Sequence, residues 1–259
     1  MAPGSEQTLH TEAYTLTLSR KLDLSEFDTR IELFSGRPVL VIERYDRTIL
    51  PDGTVRRIHQ EDAAQALGLP WNTDAKFEAV DGRAKLRNVA RLLPTRQTVF
   101  DSGRDDRERL LAYTTFNVAV GNTDAHAKNF STLHHADGQV ALAPLYDISA
   151  HALMPDGNQN MSMRVNGNAY QPEITRDDLI VEAGTWGLPT ERSKKVINET
   201  LERLRYAVED TEPGAAGERV GLYIAAQAQN VLDGKRAAVS STGPVSIAAI
   251  ERPLRMPSR

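Results

Sequence analysis

The residues best equipped for chemistry are Asn122-Thr123-Asp124-Ala125-His126-Ala127-Lys128-Asn129-Phe130, followed by Leu145-Tyr146-Asp147. One aspartate stands five residues before an asparagine, and a second aspartate follows after a short interval. Phosphoryl transfer uses such a set: a carboxylate orients the attacking hydroxyl, while an amide oxygen and another carboxylate hold Mg²⁺. Mg²⁺ prefers oxygen ligands and is usually held by one or two protein groups together with phosphates. Asp124 is the candidate catalytic residue, and Asn129 and Asp147 are the candidate metal ligands.

The elements that must position these residues can be read on either side of them. Phe130 to Leu133 and Val140 to Ala143 flank Asp137-Gly138, a strong hairpin signal. Asn129 enters the first strand and Asp147 lies just beyond the second, so antiparallel pairing would bring them within reach of one ion. Upstream, Arg107 to Val120 reads as a helix apolar around most of its circumference, hence a buried central one. It runs into the Gly121 loop and would anchor Asp124 rigidly.

The rest of the chain is read the same way. Glu12 to Leu22 fits a strand, because Tyr14, Leu16 and Leu18 alternate, or a helix capped by Thr11. Ile31 to Phe34 and Val39 to Tyr45, joined through Ser35-Gly36-Arg37-Pro38, read as a hairpin of two buried strands. A turn at Pro51-Asp52-Gly53 precedes His59-Gln60-Glu61-Asp62 and a short helix stopped by Gly68 and Pro70. Helices are expected over Arg83 to Leu93, Arg176 to Thr185, Glu191 to Val208 and Glu218 to Leu232. Residues 1–11 are expected to be disordered, residues 12–234 to form one domain, and residues 235–259 to be a flexible tail.

Composition narrows the function classes. The 259 residues carry a formal net charge of −4, so nothing global points to a nucleic-acid or membrane surface. The chain has no cysteine, which excludes disulfides and thiolate metal sites and fits a cytoplasmic location. No apolar run approaches membrane-spanning length.

The segment from Asn122 to Ser131, with Pro144-Leu145-Tyr146-Asp147, resembles the catalytic core of HipA-type protein serine/threonine kinases, the toxins of bacterial toxin–antitoxin modules. Further similarity lies in Val41-Ile42-Glu43-Arg44-Tyr45-Asp46-Arg47, in residues 59–68 and in residues 160–167. The resemblance runs in order over roughly Glu12 to Leu232. It implies an α+β, mainly helical fold: a protein-kinase-like C-terminal lobe with short β-hairpins at the cleft and most of the N-terminal β-lobe missing. It implies ATP and Mg²⁺ as cofactors, with Glu43 and Tyr45 holding adenine through backbone groups. His126 and Lys128 become candidate phosphate contacts, and Glu12 corresponds to the helix glutamate that pairs with an ATP-binding lysine.

That lysine and a Ser-containing phosphate loop lie upstream in the family, whereas only eleven residues precede Glu12 and none is lysine. The implied function is an ATP-dependent protein kinase phosphorylating a protein such as a translation component, incomplete without an N-lobe subunit. The alternative is a pseudokinase or fragment that binds an antitoxin or client. A DNA-binding antitoxin is an implied partner; direct nucleic-acid or membrane binding is not. Blander readings remain for several residues. His126 is equally well a structural histidine, His134-His135 fit a solvated turn better than a metal site, and Glu61-Asp62 fit a helix N-terminal charge pair.

Overall fold

The computed structural model of the chain describes residues 5–94, 105–154 and 157–238. It opens with helix α1 (Ser5–Lys21) and a β-hairpin of β1 (Thr29–Phe34) and β2 (Arg37–Ile42), followed by a second small hairpin, β3 (Arg47–Ile49) and β4 (Val55–Arg57). Then come β5 (His59–Asp62), the single turn α2 (Ala63–Ala66), α3 (Leu86–Leu92) and α4 (Asp106–Val120). β6 (Ser131–His134) and β7 (Val140–Leu142) form the expected hairpin, and β8 (Asn160–Val165) pairs with β9 (Asn168–Tyr170). Helices α5 (Arg176–Thr185), α6 (Thr190–Glu209) and α7 (Glu218–Leu232) complete the described fold.

The central helix is α4. Asp105 caps it by accepting from the Arg107 N–H, and Leu110, Leu111, Phe116, Val118 and Val120 are all buried completely. It packs against α6 and α7, whose inner faces carry Ile197, Leu201, Leu204, Ile224 and Val231, each fully buried. Gly121 ends it in the left-handed region at φ +72°, and a Cβ there would stand 2.8 Å from the Tyr223 hydroxyl. Only glycine fits both constraints. Asp106, 1% exposed, ties the helix to the β6–β7 hairpin by accepting the Leu142 N–H at 2.9 Å and an Arg109 bond at 3.1 Å.

Five expectations need correction. Residues 5–11, read as disordered, belong to α1, which also resolves the ambiguity over Glu12 to Leu22 in favour of a helix. Thr11 does not cap it but sits inside, its hydroxyl donating to the Gln7 carbonyl. Thr11, Thr15, Leu18 and Leu22 are buried at helical spacing and dock against the lobe, and tertiary burial overrides the local alternation. Residues 235–238 are docked as well, with the Ala237 N–H donating to Ile174 and the Ala238 N–H to Pro172; residues 239–259 lie outside those described. β2 stops at Ile42, so Glu43 to Tyr45 continue as open backbone. Finally, the β1–β2 hairpin is not buried: Leu33 is 72% and Phe34 57% exposed. Its turn is tight, with Ser35 and Gly36 both at positive φ, so register is set locally while Ile31, Leu33, Phe34 and Ile42 stay exposed.

Candidate active site

The candidate catalytic residues follow α4 directly. An amide-rich buttress holds the loop: Asn122 Nδ2 donates to Asn117 Oδ1 at 3.0 Å, and Asn122 Oδ1 meets His151 Nδ1 at 3.0 Å. The Thr123 carbonyl accepts from both the backbone and the hydroxyl of Ser162 on β8. Asp124 therefore projects, exposed, from a loop whose flanking residues are buried. Residues 127–129 form a single 3₁₀ turn, with the Asn129 side-chain oxygen accepting the His126 N–H at 2.9 Å.

The β6–β7 hairpin performs the convergence its sequence suggests. Asn129 Nδ2 donates to the carboxylate of Asp147, eighteen residues on. Asp147 is exposed and takes the left-handed conformation at φ +55°, uncommon for a residue with a side chain and frequent at functional sites. Asp124 and Asp147 both act electrostatically on His126, so each carboxylate lies in the neighbourhood of the imidazole. Among the described residues no three His, Cys, Asp or Glu side chains gather as a metal cage. One carboxylate plus one amide is nonetheless a donor set suited to Mg²⁺ completed by phosphates. The Asn129 amide nitrogen, rather than its oxygen, faces Asp147, so a cation between them needs the amide to turn.

One participant escaped sequence reading. Lys76 arrives from the loop after α2 and places Nζ 2.9 Å from His126 Nε2. Its carbonyl accepts the Ala127 N–H at 3.1 Å, and its ammonium lies 4.8 Å from the Phe77 ring centre. An ammonium only donates, so Nε2 accepts and the imidazole proton sits on Nδ1, which is buried without a partner among the described residues. Burial first, and then the Lys76 charge, hold the His126 imidazole below its ordinary value. The only sequence signal was a lysine in a loop otherwise marked by turn residues, and no spacing rule links it to a histidine fifty positions away.

The proposed adenine edge lies nearby. The Glu43 N–H donates to the Asp28 carbonyl, while the Glu43 carbonyl and the Tyr45 N–H make no backbone hydrogen bond among the described residues. The Tyr45 ring stacks between Phe27 at 5.5 Å and Tyr146 at 6.2 Å, and its hydroxyl donates to Gln60 at 3.0 Å. Tyr146 in turn donates to the Lys128 carbonyl at 2.7 Å, and burial pushes its hydroxyl up to about 12. Tyr45 thus packs on Tyr146, the residue beside Asp147. The Glu43 and Lys128 side chains are exposed. Glu12, on the face of α1 towards the cleft, is pushed up to about 7 by burial and then by the Asp147 charge, and has no cationic partner among the described residues.

The blander readings largely describe the outlying residues. Asp62 caps α2 in a capping box with Gln65, and Glu61 instead lies in β5, 3.5 Å from His134. β5 pairs with β6, an extra strand absent from the hairpin expected from sequence.

The chain is 37% identical to the putative kinase Y4mE of Sinorhizobium fredii over 79% of its own length and 48% of that protein. It is 26% identical to the serine/threonine-protein kinase toxin HipA of Shewanella oneidensis over 69% of its length and 42% of that protein. The chain thus spans about half the length of the curated relatives it matches. Among solved structures it superposes on Shewanella oneidensis HipA, in a complex with HipB and operator DNA, with a TM-score of 0.63 and 22% identity, covering 87% of this chain and 55% of that one. It also superposes on the Helicobacter pylori proinflammatory kinase CtkA, with a TM-score of 0.54 and 10% identity, covering 88% and 84%. These likenesses show a kinase-like fold. Residues 3–208 match the HipA-like C-terminal domain, and the chain belongs to that family.

Proposed function

We propose that this chain is the helical, catalytic lobe of an ATP-dependent protein serine/threonine kinase of the HipA type. The observation that carries the reading is the contact of Asn129 with Asp147 across the β6–β7 hairpin, beside the cluster of Asp124, His126 and Lys76. Asp124 orients the acceptor hydroxyl and takes its proton as the bond to phosphorus forms. Asn129 and Asp147 hold Mg²⁺, which when bound neutralises phosphate oxygens. Lys76, steered by His126, offers positive charge to the phosphoryl group in flight. The free backbone groups of Glu43 and Tyr45 receive adenine, with the Tyr45–Tyr146 pair as the apolar wall.

A β-rich lobe bearing a phosphate loop and a lysine completes the cleft, whether it is joined to this chain or supplied by another. Two features support that need: the uncovered apolar residues of the β1–β2 hairpin and the unpaired Glu12 carboxyl. The protein target is a translation component, a HipB-like DNA-binding antitoxin is the restraining partner, and the setting is the cytoplasm. Among the described residues no helix is long and apolar enough to cross a membrane.

Transfer of labelled phosphate from ATP to protein, measured with and without a matched β-lobe, tests the reading. Transfer should appear with the β-lobe and vanish in Asp124→Asn. No transfer with a folded complex would favour the second reading, a binding module that uses the same uncovered hairpin to hold an antitoxin or client.

A further inference from the structure

A cavity of about 540 Å³ opens between the exit of the β2 strand, the end of β4 and the 3₁₀ turn that carries Asn129. Four cationic side chains line it, Arg44, Arg47, Arg57 and Lys128, against two carboxylates, Asp46 and Asp62. Both carboxylates are already committed. Asp46, 3% exposed, is gripped by Arg44 through two bonds of 2.7 Å and approached by Arg47 at 3.3 Å, and the Arg44 bonds hold it below the usual carboxylate range. Asp62 accepts the Gln65 N–H at 2.8 Å as the cap of α2. Arg57 and Lys128 are exposed and have no ion-pair partner among the described residues. A chain of net charge −4 therefore keeps a local excess of positive charge in a cavity open to solvent.

The position of the cavity narrows its occupant. Lys128 immediately precedes Asn129 and Tyr146 immediately precedes Asp147, yet Asp124, Asn129 and Asp147 do not line the cavity. An anion bound here sits beside the reacting centre rather than in it. Tyr146 also walls the proposed adenine site, so the cavity adjoins the nucleotide, but Arg57 and Lys128 are neither metal ligands nor part of that adenine edge and stay free for a different anion. The remaining reactant is the polypeptide that carries the acceptor hydroxyl. Guanidinium forks and ammonium groups recognise carboxylate and phosphate oxygens by charge-assisted hydrogen bonds.

We propose that this cavity is a specificity pocket for an acidic or phosphorylated side chain flanking the serine or threonine of the polypeptide substrate. Calling its ligand a substrate rests on the kinase reading; the binding itself does not. Arg57 and Lys128 supply the selective contacts, and Arg44 and Arg47, anchored on Asp46, form the fixed positive wall.

The test is binding rather than turnover, so it is read separately from phosphate transfer. Fluorescent peptides with a central serine flanked by Glu, phosphoserine, Gln or Lys are titrated with the full chain and followed by anisotropy. The Glu and phosphoserine peptides should bind about tenfold or more tighter than the Gln peptide at low salt, a gap on the scale of one charged hydrogen bond. That gap should shrink as NaCl is raised. Arg57→Glu and Lys128→Glu, both at exposed positions, should remove the preference and favour the Lys peptide. Mg²⁺ with ADP should not displace the acidic peptide. Equal binding of the Glu and Gln peptides overturns the proposal, as does competitive displacement by the nucleotide, which would assign the cavity to ATP. Phosphate transfer that fails while acidic peptides still bind would count against the kinase reading alone.

Discussion

Replacing Glu12 by glutamine should stabilise the metal-free chain at alkaline pH and leave it unchanged in acid. In the folded lobe the carboxyl is pushed from its ordinary 4.5 to about 7, first by burial and then by Asp147. The shift of 2.5 pH units corresponds to roughly 3 kcal/mol at about 1.36 kcal/mol per unit. Solvent reaching the half-buried side chain trims this to about 2 kcal/mol. The sign follows from proton binding. Below pH 4.5 both states are protonated and Glu12 costs nothing. Between 4.5 and 7 the unfolded chain has lost a proton that the folded chain still holds, so stability falls as pH rises. Above 7 the folded lobe carries an uncompensated charge and the full cost applies. Urea unfolding in EDTA, at pH 3.5 and pH 8.5, should show the Glu12→Gln midpoint above wild type only at the higher pH, by the equivalent of about 2 kcal/mol. Asp147→Asn should recover a smaller part of it, because burial is the larger cause. Equal stabilisation at both pH values, or none at pH 8.5, would refute the reasoning.

Other perturbations separate fold from site. Gly121→Ala should lower unfolding stability by about 2 kcal/mol or more, since alanine at φ +72° is strained and its Cβ would press on Tyr223 and Ala152; an unchanged urea midpoint would contradict this. Asp106→Ala strips the buried acceptor of the Leu142 N–H and Arg109, and should cost about 3 kcal/mol. Its amide exchange should quicken first in the β6–β7 hairpin, and uniform exchange would count against that tie. Leu33→Lys, at a site 72% exposed, should leave the isolated chain within about 0.5 kcal/mol of wild type while weakening association with a β-lobe partner, as read by ultracentrifugation.

What the sequence by itself determined was local. The Asp137-Gly138 turn set a hairpin that returns Asp147 to Asn129, and the breadth of apolar residues from Leu110 to Val120 marked α4 as central before any packing was known. Arg176–Thr185 and Glu218–Leu232 are helices over the expected residues, because caps and periodicity act within a few positions of one another. What only tertiary structure decided depended on neighbours distant in sequence. The first helix could not be told from a strand until Thr11, Leu18 and Leu22 had a lobe to dock on. The β1–β2 hairpin carries the apolar content of a buried pair, yet exposure depends on whether another surface covers it, and turn chemistry says nothing of that. Lys76 meets His126 across fifty residues, and Arg57 and Lys128, seventy-one residues apart, line one cavity, through packing that no short-range rule encodes. Turns and helix caps are fixed by sterics along a few bonds; the charges that surround a reacting group are fixed by the whole fold.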